Sequence, residues 1–173
     1  MNRYLPIVVV AIPILGGLII PMIKDEHRKA RCFYIETLVV INTALVFFTL
    51  MNNSGESCEV IRFTSDLSVS FKIDGLSTVF SALIAFLWPL ATLYSFEYMT
   101  KEKREGVFFM FYTMTYGVTL GIAMAEDFVT MYCFYEMLTL VTVPLVIHTL
   151  TREAILAARK YLYFSLGGAA FAF

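Results

Sequence analysis

Five apolar stretches, each about as long as a membrane helix, dominate this sequence. They cover residues 4–23, 33–51, 76–98, 107–125 and 128–150, and a helix needs about 20 apolar residues to cross the hydrocarbon core of a bilayer. Apolar residues make up 59% of the chain and charged residues 16%, against roughly 45–50% and about 25% in soluble domains. This composition excludes a soluble enzyme, a disordered chain and a disulfide-framed secreted module. The sequence therefore predicts an all-α polytopic membrane protein.

A sixth apolar stretch, residues 161–173, has only 13 residues. As a helix it is about 20 Å long, which is short of the roughly 30 Å hydrocarbon core. A chain that ends inside the bilayer leaves backbone carbonyls and a carboxylate unsatisfied. We therefore expect residues 1–173 to form a single transmembrane domain that is a fragment of a longer subunit. The alternative is that its end is buried against a partner.

The basic residues alternate between the two sides of the predicted membrane. Ten of the thirteen lie between spans one and two, three and four, or five and six. They are Lys24, Arg28, Lys29, Arg31, Lys101, Lys103, Arg104, Arg152, Arg159 and Lys160. Cytoplasmic loops carry such an excess of Lys and Arg. We expect a multi-pass protein of the cell (inner) membrane with its N-terminus outside.

The loop between the second and third spans has the periodicity of a strand. Apolar and polar side chains alternate over residues 67–73, which is typical of a half-buried strand. Residues 60–63 are the predicted partner strand, with a turn at residues 64–66. We expect a small β-hairpin on the outer surface, ended by Asp74 and Gly75 before the third span.

One ionisable residue lies deep inside a predicted span. Glu136 is the ninth residue of the stretch 128–150, where a charge costs roughly 2.5–3.5 kcal/mol on insertion scales. Such a residue must face the protein interior or a wet cavity, which makes it a candidate functional residue. Burial and a nearby cation shift the pKa of a carboxyl group in opposite directions, so a carboxyl between these effects can exchange protons. We predict proton transfer at Glu136; the alternative is a structural hydrogen bond between helices.

Other polar residues are candidates to support Glu136. Tyr132 and Thr139 share its helix face, at i−4 and i+3. His148, near the cytoplasmic end of the fifth span, is a candidate proton acceptor because imidazole titrates near neutral pH. Glu36 and Glu97 lie near the cytoplasmic ends of spans two and three. They are either interfacial carboxylates or groups that pass protons inward.

No catalytic constellation is visible in the sequence. The three cysteines, Cys32, Cys58 and Cys133, form no CxxC pair and have no His at ligand spacing, so neither a zinc site nor a disulfide framework is predicted. There is no Gly-rich phosphate loop, nucleophile triad or heme motif. The net charge of −1 suggests no nucleic-acid partner. We expect no cofactor, no metal and no catalytic residue in this chain.

Several short segments resemble one family. They are Phe-Tyr-Glu-Met at residues 134–137, followed by Pro144 and by Ala-Arg-Lys-Tyr at 158–161, Asp-Gly-Leu-Ser at 74–77, and Ser-Phe-Glu-Tyr-Met at 95–99. Together they resemble the N-terminal part of antiporter-like membrane subunits. These are the large membrane subunits of respiratory complex I, of membrane-bound hydrogenases and of Mrp-type Na⁺/H⁺ antiporters.

The resemblance implies a role in coupled ion translocation. In the family, a glutamate of the fifth helix pairs with a lysine of a broken seventh helix and tunes its proton affinity. Glu136 matches that glutamate, whereas the lysine has no counterpart within residues 1–173. The implied partners are the lipid bilayer, other membrane subunits, protons and Na⁺. In a complex I or hydrogenase setting, the enzymatic chemistry belongs to other subunits. The alternative class is a non-transporting membrane scaffold, and the choice among the three family settings stays open at this point.

Overall fold

The computed structural model describes residues 4–23, 25–52, 55, 57–62, 68–101 and 104–172. Its elements, in chain order, are α1 (Leu5–Ile19), α2 (Arg28–Met51), β1 (Cys58–Arg62), β2 (Ser68–Phe71), α3 (Gly75–Tyr98), α4 (Glu105–Ala123), α5 (Phe128–Val146) and α6 (Arg152–Ala172). Short 3₁₀ turns cover Ile20–Met22, Asp25–His27 and Met99–Lys101. The predicted fold class, an all-α bundle with a small β-hairpin, is confirmed.

Five helices within these ranges are long and apolar enough to cross a membrane, with α1 counted together with its turn through Met22. They are α1 to α5. Large apolar side chains on the outside of the bundle, such as Leu83, Phe86 and Leu90 of α3, are about half exposed or more. A hydrocarbon environment suits these surfaces because the helices satisfy their own backbone hydrogen bonds. The chain is a multi-pass membrane protein.

Two helices begin more than one helical turn before the apolar stretch that predicts them. α2 begins at Arg28 rather than at residue 33, and α6 begins at Arg152 rather than near Tyr161. The apolar pattern marks only the part of a helix that suits hydrocarbon. A helix continues beyond it because long basic side chains reach the interface while their stems cover apolar surface. The sixth apolar stretch is therefore the second part of a 21-residue helix.

The fifth helix ends earlier than predicted, at Val146 rather than at residue 150. Pro144 lies in its last turn and has no N–H to donate to the carbonyl of Leu140. Leu150 then has a φ of 54°, in the left-handed region that an α-helix does not use. The chain turns at this point and enters α6.

α4 lies at the centre of the bundle and packs mainly against α1 and α5. Two of its glycines permit this packing. A Cβ atom on Gly117 would overlap the carbonyl oxygen of Val10 in α1, and one on Gly121 would overlap the ring of Phe134 in α5. Small residues at such positions let membrane helices approach closely. Both faces of α4 are therefore fitted to their neighbours.

The helices α3 and α5 begin with the same type of cap. Asp74 Oδ1 accepts a hydrogen bond from the backbone N–H of Ser77 at 2.7 Å, and Asp127 Oδ1 accepts one from the N–H of Thr130 at 2.7 Å. A side-chain oxygen at this position satisfies one of the free N–H groups of the first helical turn. The Ser77 N–H also holds the pKa of the Asp74 carboxyl below its usual range. The Asp-Gly-Leu-Ser segment thus acts locally as a helix N-cap.

The hairpin is antiparallel, with Cys58 opposite Phe71 and Arg62 opposite Ser68, and its register shifts between Glu59 and Ile61. Residues 63–67, which contain the predicted turn and the first residue of the predicted second strand, lie outside the described residues. Two of the basic residues used for orientation, Lys24 and Lys103, and the last residue of the chain also lie outside them.

Candidate functional site

The helix that carries Glu136 is anchored at its start by the hairpin. Asp127 Oδ2 accepts a hydrogen bond from the Ser70 hydroxyl at 2.7 Å, and the Ser70 N–H donates to Thr130 Oγ1 at 2.9 Å. The backbone continues this attachment, because the Glu126 N–H donates to the Ser70 carbonyl at 3.0 Å and the Lys72 N–H donates to the Met124 carbonyl at 2.9 Å. The second strand therefore pairs with the α4–α5 connection as well as with β1.

Aromatic packing then sets the rotation of α5. The ring of Phe134 lies 5.4 Å from the ring of Phe71 in β2. The same ring also packs closely against Gly121 of α4. Phe134 is two residues from Glu136, so this packing fixes which side of α5 the carboxylate occupies.

Hydroxyl pairs join α5 to α6. Thr139 Oγ1 and Ser165 Oγ lie 2.8 Å apart, and Thr142 Oγ1 lies 2.9 Å from the hydroxyl of Tyr161. Thr139 is only 2% exposed. Hydrogen bonds of this kind hold helices together where the surroundings offer no water. The helix that carries Glu136 is thus held by the hairpin at its N-terminal end, by α4 through Phe134, and by α6 through the hydroxyl pairs.

Glu136 is half-buried, and its Oε1 atom is buried without a hydrogen-bond partner among the described residues. Tyr132, one helical turn earlier, interacts with the carboxylate through its hydroxyl. The structure therefore brings together two of the residues chosen from the sequence. Thr139 is also on this side of the helix, but its hydroxyl contacts Ser165 and the Tyr135 carbonyl instead.

His148 does not join this site. It lies two residues beyond the end of α5, and its Nδ1 lies 2.7 Å from the carbonyl oxygen of Leu145. Its ring meets the ring of Phe108 edge-on at 5.6 Å. Twelve helical residues correspond to about 18 Å, so His148 lies far along the helix axis from Glu136. It lines a separate cavity of about 300 Å³ with Arg104 and Pro144.

A cavity lies beside Tyr132, between α4, α5 and α6. Its volume is about 270 Å³, and it is lined by Ile122 of α4, by Met131 and Tyr132 of α5, and by Gly168 of α6, among others. Apart from the tyrosines, its lining is apolar. In the part of the chain that the structure describes, no group of three or more His, Cys, Asp or Glu residues could hold a metal ion.

The structure also contains a buried ion cluster that the sequence reasoning missed. Glu105, at the start of α4, is 5% exposed and Arg31 of α2 is 2% exposed. Arg31 Nη2 lies 2.6 Å from Glu105 Oε2, and Arg28 Nη2 lies 2.8 Å from Glu105 Oε1. Arg28 also donates to the carbonyl of Phe96 at 2.6 Å. The Glu105 carboxylate thus joins the ends of α2 and α4, and Arg28 extends the cluster to the end of α3.

The sequence carried a weak signal for this cluster. Glu105 is an acidic residue that follows a basic segment and lies two residues before an apolar span. From the sequence, Arg28 and Arg31 were used only as loop charges that indicate the orientation in the membrane. Their role as a paired, buried group depends on α2 and α4 being neighbours, which composition and periodicity do not reveal.

Asp127 provides a pH-dependent test of the hairpin attachment. Burial raises the pKa of its carboxyl group, but hydrogen bonds from the Thr130 N–H and the Ser70 hydroxyl lower it by more, so the net pKa lies below its ordinary value of 3.8. A lowered pKa stabilises the folded state above the ordinary value and loses this contribution as the pH falls through the lowered value. We expect hydrogen exchange at the β2 amides to accelerate as the pH falls below about 4, after correction for the intrinsic exchange rate.

Replacing Asp127 by alanine should accelerate the same amides at neutral pH and cost about 1 kcal/mol, as the loss of an N-cap does. Asp74→Ala is the matched control, because it removes the equivalent cap of α3 and leaves the Ser70 contact in place. If both variants accelerate exchange in β2 equally, Asp127 does not hold the hairpin.

The fold and the site define a class: a polytopic α-helical membrane protein with a carboxylate inside a spanning helix. Residues 61–109 match the family described as NADH-ubiquinone oxidoreductase (complex I), chain 5 N-terminus. The chain is 24% identical over 167 residues to the Na⁺/H⁺ antiporter subunit A1 of Staphylococcus aureus, covering 93% of this chain and 21% of the relative. It is also 24% identical over 135 residues to subunit A1 of Staphylococcus haemolyticus, covering 75% of this chain and 17% of the relative.

Among solved structures, the chain is similar to a chain of the membrane-bound sulfane sulfur reductase, an archaeal respiratory membrane complex. The TM-score is 0.80 at 17% identity, covering 96% of this chain and 35% of that chain. This likeness shows that the fold is shared. The comparisons confirm the similarity to antiporter-like membrane subunits. The chain spans about a fifth of the length of the curated relatives that it matches.

Proposed function

We propose that this chain is the N-terminal portion of an antiporter-like subunit that translocates protons, or cations in exchange for protons, in a multisubunit membrane complex. The observation that carries the proposal is the Glu136 carboxylate on a spanning helix, with one oxygen buried and without a hydrogen-bond partner among the described side chains. A carboxyl group in this position is costly in hydrocarbon. We infer that the protein keeps this costly carboxyl group because the group takes up and releases a proton.

Glu136 is the proton-transfer group in this proposal. Its Tyr132 neighbour supplies a hydroxyl that can both donate and accept a hydrogen bond. The anchors at Asp127 and Phe134 and the hydroxyl pairs toward α6 keep the carboxylate at a fixed depth and rotation. A fixed position favours proton transfer because the donor and acceptor must lie within hydrogen-bond reach.

The same proposal covers the partners of the chain and its orientation in the membrane. Residues 1–173 form one transmembrane domain of a longer subunit, and further membrane subunits are its partners. The N-terminus faces the outside of the cell, because the described basic residues at the start of α2, at the start of α4 and in the first half of α6 lie toward the end of the bundle opposite the hairpin. His148 lies at this basic end. In this proposal its imidazole exchanges protons with the aqueous phase and not with Glu136.

Ion flux in inverted membrane vesicles tests the proposed function. We expect proton movement, followed with a pH-sensitive dye, in vesicles that contain the complete complex and its loss in vesicles from cells that lack this subunit. Flux that needs Na⁺ but no electron donor indicates a Na⁺/H⁺ antiporter, which the names of the staphylococcal relatives favour. Flux that needs an electron donor indicates a redox-driven complex. If complexes assembled without this subunit transport at an unchanged rate, the proposal is wrong.

A further inference from the structure

A polar contact point lies inside the interface of α2, α3 and α4. Thr43 Oγ1 of α2 lies 3.1 Å from the Ala85 carbonyl oxygen of α3, to which it donates, and 3.0 Å from the hydroxyl of Tyr116 in α4. Tyr116 is fully buried. Its ring stacks on the ring of Trp88 at 5.0 Å. Three helices therefore meet at hydrogen-bonding groups rather than at an apolar contact.

Further buried polar side chains near this contact point have no full hydrogen-bond partner within the part of the chain that the structure describes. Asn42 is 0% exposed, and neither atom of its amide group has a described partner at full hydrogen-bond geometry, although the Tyr116 hydroxyl lies close enough to interact with it. The hydroxyls of Ser81 in α3 and Thr113 in α4 are in the same situation, and both residues are 0% exposed. Ser81 lies one helical turn from Ala85, and Thr113 lies one turn from Tyr116.

These hydroxyls differ from most others in the same helices. Several donate to a carbonyl group of their own helix: Thr49, Thr92, Thr115 and Thr119. This bond is the ordinary way for a hydroxyl to be satisfied within a membrane helix. Ser81 and Thr113 do not form it, so their hydroxyls are available to a further partner.

The distance of these polar groups from the helix ends limits which kind of partner can satisfy their hydrogen bonds. Asn42 is nine residues from the end of α2, Ser81 is six residues from the start of α3, and Thr113 is ten residues from the end of α4. At 1.5 Å per residue these positions lie about 9–15 Å inside the helix ends. An unsatisfied polar group at this depth costs free energy comparable to a lost hydrogen bond. Buried polar groups of this kind are ordinarily satisfied by ordered water.

The polar groups continue toward the basic end of the bundle. Glu36 lies two helical turns before Thr43 on α2, and its Oε2 atom is buried without a hydrogen-bond partner in the described part of the chain. Tyr112, one turn before Tyr116 on α4, interacts electrostatically with Glu36. Its ring lies 5.4 Å from that of Trp88. We call Glu36, Asn42, Ser81, Tyr112, Thr113 and Tyr116 the polar seam.

We propose that the polar seam binds a short chain of ordered water molecules between α2, α3 and α4, centred on the Asn42 amide. Water fits because it can donate to Asn42 Oδ1 and to the Glu36 carboxylate, and accept from Asn42 Nδ2 and the two free hydroxyls. These waters lie in a helix interface that does not include α5. They form a hydrated region separate from the Glu136 site, and their presence does not depend on what the complex transports.

Radiolytic labelling of the complete, assembled complex tests this proposal. X-rays split bound water into hydroxyl radicals, which oxidise the side chains that touch it, and mass spectrometry then measures oxidation of each residue. We expect Tyr116 to be oxidised several-fold faster than Phe109, after correction for intrinsic reactivity. Phe109 is the reference because it is equally buried in the same helix but packs among the rings of Phe96, Phe108 and Tyr112.

Asn42→Leu should lower Tyr116 oxidation several-fold, since leucine has a similar size and binds no water. Thr49→Val is the matched control, because it removes a buried hydroxyl of α2 that already has its own carbonyl partner, and it should leave Tyr116 oxidation unchanged. If Asn42→Leu prevents assembly, Ser81→Ala combined with Thr113→Val removes two water-binding hydroxyls with little change in volume. The same decrease is then expected.

Two results would overturn the proposal. In the first, Tyr116 of the unmodified complex is oxidised no faster than Phe109. In the second, Tyr116 is oxidised but neither Asn42→Leu nor the double variant changes its rate. A rise in the melting temperature of the Asn42→Leu complex, together with slow labelling, would show that Asn42 is simply an unsatisfied group in a dry interface.

Discussion

Replacing Glu136 by glutamine is expected to lower ion flux per assembled complex by about 10²-fold or more, the contribution that a positioned proton-transfer group typically makes. Glutamine keeps the size of the side chain and its ability to form hydrogen bonds, but it neither takes up nor releases a proton at the relevant pH. Assembly should therefore survive. The measurement is dye-detected proton flux in inverted vesicles, divided by the amount of assembled complex on a native gel.

Glu97→Gln is the matched control for this experiment. It makes the same chemical change on a carboxylate near the end of α3 that is exposed rather than half-buried, and it should leave flux near the unmodified level. Glu136→Asp keeps a titratable group and should restore part of the flux. If Glu136→Gln reduces assembly while flux per assembled complex stays normal, Glu136 is a structural hydrogen-bond partner and the scaffold hypothesis is the better one.

Replacing Glu105 by alanine is expected to destabilise the bundle by about 3–5 kcal/mol, the cost of breaking a buried ion pair by removing one partner. The Glu105 carboxylate forms ion pairs with both Arg28 and Arg31, and Arg31 is 2% exposed. Without the carboxylate, the charge of Arg31 remains in a poorly solvated position and the ends of α2 and α4 separate. The measurement is the midpoint of thermal loss of the complex in detergent, read on a native gel.

The surface pair between Arg62 and Glu59 is a sharp control. Its N–O distance is 2.6 Å, the same as that between Arg31 and Glu105, but its side chains are 62% and 42% exposed. Glu59→Ala should cost about 0–1 kcal/mol, as exposed ion pairs do. Changing both partners, Glu105→Leu with Arg31→Met, should recover much of the lost stability because no buried charge then remains unpaired. An effect of Glu105→Ala as small as that of Glu59→Ala would contradict this account.

Local features of the sequence predicted the parts of the structure that depend on neighbouring residues along the chain. Apolar length located the spanning helices, and the alternation over residues 67–73 located the hairpin, because each pattern reflects the periodicity of a single element. Tyr132 was found beside Glu136 for the same reason, since a spacing of four residues places two side chains on one helix face. Asp74 and Gly75 were also readable locally, as the end of the hairpin before the third span.

Features that depend on contacts between distant segments were not predictable in this way. Thr139 has the correct spacing from Glu136, but its hydroxyl bonds to Ser165, which is 26 residues away. Glu105 meets Arg28 across 77 residues. The start of α6 at Arg152 was also missed, because a charged helical turn beyond the apolar core looks like a loop in a hydropathy pattern. Such features depend on which helices are neighbours, and one sequence does not specify that.

The ion cluster also has a consequence for biogenesis. Arg28 and Arg31 are synthesised 77 and 74 residues before Glu105, so α2 reaches the membrane well before its counter-charge exists. Until α4 has followed, the two guanidinium groups are best accommodated in water at the membrane surface. The basic end of α2 can reach its final packed position only after the ribosome has synthesised the start of α4. Maturation of this half of the bundle is thus a delayed step that the order of synthesis controls.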